Sequence, residues 1–453
     1  MRHRKRDLTA PVKADLTLRF TGQHLTSYAG LELFRQFLRH LDFSSRLRRH
    51  LRAVDPAGDY PSVAIVRLVL AMLVVGASRL RHLGYLEGDP LILRFCGLRS
   101  LPTERTLSRW LSRCSAAVRS ALQGLNAELI GVTLHDLGLR RLTCDVDGTV
   151  LSTGLQVERA FRGYNPHHRK VPSYYPITAH LAQTGQFLRV QNRSGNVHDG
   201  KASHAFLRDL FRQLHTLAPK ALLEIRLDGA FFRKEIVAFL EGRAEYAIKV
   251  PFYHWIDLQS LIRERKHWKR VAPGLDGFQA VVHLRPWNRT LRVAIYRKRV
   301  FHTTRKNYQL DLFDPSNGTW EYSAVATNKT LGVRALWHFM AGRGAHEKAL
   351  AELKNNFAFD SIPTQTYAAN SAWQILSTLA YNLVAAFQIH TGAPRRKKSL
   401  KRTCLYVLKS ATTLRYEIFG RAGIVQYPAG RATLTLSRNL PARALFEKLG
   451  QAA

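Results

Sequence analysis

Apolar residues recur at helical spacing through the first third of the chain: Leu33, Phe34, Phe37 and Leu38, then residues 63–75, then 118–129. The pattern predicts a mainly helical region over residues 1–138. Within it, Leu101-Pro102-Thr103-Glu104-Arg105-Thr106-Leu107-Ser108-Arg109 opens like a capped helix. Thr103 offers a capping hydroxyl, and Glu104 suits the positive end of the helix dipole. Arg105, Arg109 and Arg113 then repeat every fourth residue. Such a stripe suits either DNA phosphates or simple solvation.

The period changes after residue 140. Leu142-Thr143-Cys144-Asp145-Val146-Asp147-Gly148 reads as a strand, and further strands are expected at 174–181, 186–191 and 222–228, with a helix at 202–217. Strands first, then strand and helix in alternation, predict an α/β fold with a mixed sheet. Strands at 244–251, 278–284, 290–297 and 319–327, with turns around Asn288 and Gly318, form a β-rich interruption that holds Trp255, Trp268, Trp287 and Trp320. Tryptophans in a small β region are more often core than platforms for a flipped base, and core is the expectation here. Helices resume at 331–357 and 368–390, and Arg395-Arg396-Lys397-Lys398 marks an exposed linker. The expected organisation is therefore 1–138 helical and DNA-binding, 139–228 the first part of a catalytic core, 229–335 an insertion, 336–392 the second part, and 393–453 a basic tail.

Charge narrows the class of partner. Lys and Arg number 69 against 32 Asp and Glu, a net charge of +37. An excess of this size suits a polyanion, since each phosphate neutralised releases a condensed counterion. The basic residues are spread along the chain rather than on one amphipathic helix, which favours nucleic acid over a membrane surface. The most apolar run, 63–76, contains Arg67 and is too short to cross a bilayer. Four cysteines without CxxC spacing read as buried thiols of a cytoplasmic protein.

Three acids stand out. Asp147 and Asp228 each end an expected strand and precede a glycine, the position where α/β sheets bind ligands. On the later helix Arg343, Glu347 and Lys354 fall within roughly 40° of one another at about 100° per residue. Carboxylates meeting at one edge would need cations, and oxygen donors suit Mg2+. A pair of such ions can activate the attacking oxygen and stabilise the leaving one in phosphoryl transfer. Asp145 competes with Asp147, because alternation puts both on one face; the strand-end position favours Asp147. The loop around His168, Arg169, Lys170 and Tyr174 joins cations to rings and is a second candidate DNA contact. The segment 195–202 lacks the Ser or Thr of a phosphate-binding loop, having Ala202 there.

The order Asp147-Gly148-Thr149, then Arg226-Leu227-Asp228-Gly229, then Arg343-x3-Glu347-x6-Lys354 resembles the bacterial insertion-sequence DDE transposases with a ribonuclease-H-like core. Met340 stands where the signature has Tyr. Within that group the chain is most similar to insertion-sequence family 1380, through Gly163-Tyr164-Asn165-Pro166, Tyr174-Tyr175-Pro176 and Ser194-Gly195-Asn196-Val197-His198-Asp199. The resemblance implies a catalytic and metal-binding triad of Asp147, Asp228 and Glu347 holding two Mg2+, with Mn2+ as a substitute. It implies cleavage at transposon ends followed by 3′-hydroxyl attack on target DNA, with Arg343 and Lys354 holding phosphate and a homodimer pairing two ends. A metal nuclease that does not join strands, and a non-catalytic regulator derived from a transposase, are the alternatives.

Overall fold

The computed structural model describes residues 15–452 except 57, 164, 166, 167, 169, 301–319, 398–403 and 438, and the side chains of Lys201, Ala202 and Leu440. The expected turn at 314–318 and the candidate DNA contact Arg169 lie outside the described residues.

The helical first third consists of α1 (Leu31–His40), α2 (Phe43–Leu51), α3 (Ser62–Val75), α4 (Pro90–Cys96), α5 (Glu104–Ser112) and α6 (Ala116–Leu137). The apolar run is α3, buried along nearly its whole length. No single helix among the described residues is long and apolar enough to cross a membrane. Thr103 caps α5 as its sequence suggests, accepting from the Thr106 N–H at 3.2 Å.

The sheet follows. Its strands are β1 (Arg141–Gly148), β2 (Ile177–Leu181), β3 (Phe187–Gln191), β4 (Leu222–Leu227), β5 (Glu245–Val250), β6 (Lys269–Ala272), β7 (Leu275–Leu284), β8 (Arg289–Arg299) and β9 (Trp320–Thr327). Their spatial order is β3-β2-β1-β4-β5-β9-β8-β7-β6. Strands β1 to β3 pair antiparallel, whereas β4 and β5 lie parallel to β1. This is the expected ribonuclease-H-like mixed sheet. Residues 229–335 do not stand apart from it: β5 is a core strand, and β9 pairs antiparallel with β5 so that β6 to β9 continue the same sheet.

Alternation decides what each face carries. Leu142, Cys144 and Val146 of β1, Leu223, Ile225 and Leu227 of β4, and Tyr246, Ile248 and Val250 of β5 share one core with Phe206, Leu207 and Leu210 of α7 (Asp199–Leu217) and Ile236, Val237 and Leu240 of α8 (Lys234–Leu240). The intervening residues, Asp145, Asp147, Arg226, Asp228 and Ala247, therefore share the opposite face. There a smaller core joins Ala247, Val325 and Tyr296 to Val333, Leu336 and Met340. Those last three belong to α9 (Val333–Ala341), which is followed by α10 (Gly344–Phe357) and α11 (Tyr367–His390). The expected single helix over 331–357 is thus broken at Gly342 and Arg343, where residue 344 begins a new helix.

The segment expected as a basic tail is folded. Leu414, Ile418 and Phe419 are buried in the core of the helical region, and Gly423–Gln426 pairs with Leu25–Thr26. Arg415 supplies the reason: its guanidinium caps the end of α3, with Nε 2.8 Å from the Val74 carbonyl and Nη2 2.7 Å from that of Leu73. Carbonyls in the last turn of a helix are short of backbone donors, and that of Leu73 also accepts the Gly76 N–H at 3.3 Å.

Candidate active site

Parallel pairing of β1 with β4 brings their C-terminal ends together, and each end carries its acid at the turn out of the sheet. Asp147 Oδ1 accepts the Gly148 N–H at 3.0 Å, and Asp228 Oδ1 accepts the Gly229 N–H at 2.8 Å. The break between α9 and α10 drops Arg343 onto this edge. Its Nη2 pairs with Asp147 and lies 4.0 Å from Asp228 Oδ2, while Nη1 lies 3.3 Å from Glu347 Oε1. Three acids from three separate elements thus share one guanidinium. Their exposure rises from Asp147 at 22% through Asp228 at 40% to Glu347 at 67%, so the group opens to solvent on the side of Glu347.

Burial pushes the Asp147 carboxyl up to about 6, against the pull of Arg343 and with help from the negative charges of Asp228 and Asp199. At Asp228 burial works the same way, but Lys249 and Arg343 outweigh it and hold the carboxyl below its usual range. Lys249 Nζ lies 3.5 Å from Asp228 Oδ1. Asp199 begins α7, pairs with buried Arg193 and accepts from the Tyr175 hydroxyl at 2.6 Å. It sits close behind Gly148, where a Cβ would meet its oxygens at 2.8 Å.

Not every expected residue comes here. Lys354 donates to the Val150 carbonyl at 3.3 Å, just beyond the Asp147 turn, and makes no described contact with Glu347. Arg105 and Arg109 are exposed on α5, and Lys170 is exposed in its loop; none has a described contact with the acids. Met340 is buried in the small core under α9. Of the four tryptophans, Trp268 and Trp287 are half-buried against the sheet core as expected, Trp320 is half-buried and Trp255 is exposed; Trp255 and Trp287 pack on each other and Trp287 on Phe232, with ring centroids 5.4 and 4.8 Å apart.

Asp145 is separated from Asp147 by its partner. It is fully buried and ion-paired with Arg226, whereas Asp147 meets Arg343 at the open edge. Sequence reasoning missed Lys249, Arg193 and Arg226. Strand parity was the available signal for Arg226, which sits two residues before Asp228 in a strand whose other charged residue is Glu224.

Among the described residues, no three His, Cys, Asp or Glu side chains lie close enough together to hold an ion as they stand. The donor chemistry nevertheless fits a hard cation. Three carboxylates converge on one positive group, and the innermost, nearest Asp199 and Asp228, is pushed towards its protonated form.

A ribonuclease-H-like sheet with acids at the ends of two neighbouring parallel strands, and a third acid on a helix above them, defines a DDE-type catalytic domain. The chain belongs to the family described as Transposase DDE domain group 1, whose model matches residues 9–452. Among solved structures it is similar to a piggyBac transposase synaptic complex with hairpin DNA, determined by cryo-EM. That match has 11% sequence identity and a TM-score of 0.43, and it covers 88% of this chain and 83% of that one. No protein of curated function matches the sequence.

Proposed function

We propose that the chain cuts DNA at the ends of a mobile element and joins the freed 3′-hydroxyl to target DNA, using divalent cations held by Asp147, Asp228 and Glu347. The observation that carries this reading is the meeting of those three acids on the Arg343 guanidinium. Mg2+ or Mn2+ bound there would activate water and stabilise the oxygens of an in-line displacement.

The chain's own groups supply the rest. Backbone N–H groups of Gly148 and Gly229 fix the two aspartates at the sheet edge. Arg343 neutralises the acids while no ion is bound, and its planar fork suits a phosphate once they turn to a metal. Arg105, Arg109 and Lys170 are exposed cations for the flanking DNA backbone, in keeping with the net charge of +37. Membership of insertion-sequence family 1380, and action as a homodimer on two ends, complete the proposal.

The test is a labelled duplex of the element's own end, incubated with Mg2+ and a target plasmid. Wild type is expected to release 3′-hydroxyl ends and to give joined products. Asp228→Asn and Glu347→Gln are expected to bind the duplex but to cut on the order of 10^3-fold more slowly, several kcal/mol of lost transition-state stabilisation. Cutting without joining would make the protein a nuclease. Binding without cutting by wild type would make it a regulator.

A further inference from the structure

Beneath the three acids lies a second polar cluster that touches neither solvent nor the open edge. Asp145 and Arg226 are register partners on β1 and β4, two residues before Asp147 and Asp228. Both are 0% exposed, and they pair through two bonds: Nε to Oδ1 at 2.5 Å and Nη2 to Oδ2 at 2.8 Å. The remaining Arg226 nitrogen, Nη1, donates to the Phe339 carbonyl at 2.8 Å, in the last turn of α9 and four residues before Arg343. The same guanidinium lies over the Phe339 ring, 5.2 Å from its centroid.

A histidine pair completes the cluster. His180 Nδ1 lies 3.4 Å from Asp145 Oδ2, and its ring stacks on His346 at 5.2 Å with an interplanar angle of 6°. His346 Nε2 bonds Thr178 Oγ1 at 2.9 Å, and Thr178 is the register partner of Asp147. His346 itself immediately precedes Glu347. Each of the three acids therefore has a buried neighbour, one or two residues away on its own element, that belongs to this cluster.

We propose that Asp145, Arg226, His180 and His346 are positioning residues that set α9 and α10 against β1 and β4, and so hold Glu347 and Arg343 in register with Asp147 and Asp228. A buried ion pair is seldom more stabilising than apolar residues of the same volume, so stability alone gives little reason for one here. What the pair supplies is direction. A planar guanidinium locked by Asp145 aims its Nη1 at a carbonyl of the helix end. The helix break at Gly342 and Arg343 frees α10 from the axis of α9, and the histidine stack fixes it a second time.

This inference rests on the proposed metal site, and its test separates the two. Arg226→Lys keeps a charge beside Asp145 but loses the fork that reaches Phe339. The double variant Asp145→Leu/Arg226→Met replaces the pair by apolar side chains, and guards against loss of folding from an unpaired buried charge. Thermal unfolding, binding of end DNA, and Mn2+ binding read from the free-ion electron paramagnetic resonance signal are compared with cleavage. Both variants are expected to fold and bind DNA as wild type does, while Mn2+ affinity and cleavage each fall at least about tenfold. Wild-type Mn2+ affinity and cleavage in either folded variant would overturn the positioning role and leave the site intact. A wild type that binds no Mn2+, with Asp228→Asn no different, would remove the site and this inference with it.

Discussion

Asp147 and its surroundings set the electrostatics of the site. Its carboxyl is pushed up to about 6 in the folded protein from an ordinary value of 3.8. Between those values the folded state holds more protons than the unfolded chain, so this group's contribution to stability falls as pH rises through the window. A cation must displace the proton, and its apparent affinity is therefore expected to be about tenfold weaker at pH 5 than at pH 7. Mn2+ titrations at the two pH values check this; equal affinities would contradict it. Gly148 adds a steric demand. A Cβ at that position would meet Tyr175 Cζ at 2.7 Å and both Asp199 oxygens at 2.8 Å. Gly148→Ala is expected to destabilise the fold by about 1–3 kcal/mol through overpacking and to slow cleavage, read by thermal unfolding and the end-cutting assay. That Asp147 and Asp228 reach the same sheet edge was legible, because strand-ending aspartates before glycine are a local pattern. Alternation alone could not choose between Asp145 and Asp147, since it puts both on one face, and the strand-end position was what favoured Asp147. In the structure their partners separate them, Arg226 across the strands for Asp145 and Arg343 from the helix break for Asp147.

At the scale of elements, helix ends decide how the parts meet. The end of α3 is closed by Arg415, from more than three hundred residues away in sequence, which also bonds the Asn356 carbonyl at 2.5 Å. Arg415→Ala takes the guanidinium away from these carbonyls and is expected to cost about 2 kcal/mol, seen as a lower unfolding midpoint. An unchanged midpoint would show that solvent replaces the guanidinium at no cost. Most strands and helices could be read from periodicity, which is a local property. The break between α9 and α10 could not, because residues on both sides keep helical spacing and Arg343 itself has helical backbone angles. The folded C-terminal segment was equally hidden. Its elements are short, and their apolar residues find partners only in distant helices.

Over the whole molecule, the sheet is the frame, and the proposed binding of DNA rests on charge. Strands β6 to β9 extend the core sheet, so the long separation between Asp228 and Glu347 is bridged by strands that belong to the same scaffold. Binding of DNA by a chain of net charge +37 is expected to weaken steeply with salt. With 6–10 phosphate contacts, affinity should fall by about 10^3–10^5 between 50 and 200 mM. A salt-independent affinity would argue against a phosphate-dominated interface. The central claim is that the acids gathered on Arg343 are a divalent-cation site, and crystals soaked in Mn2+ test it most directly. An anomalous peak is expected between Asp147 and Asp228, facing Glu347, and is lost in Asp228→Asn. Fully soaked crystals with no peak at this edge, and Arg343 still bridging the carboxylates, would contradict it.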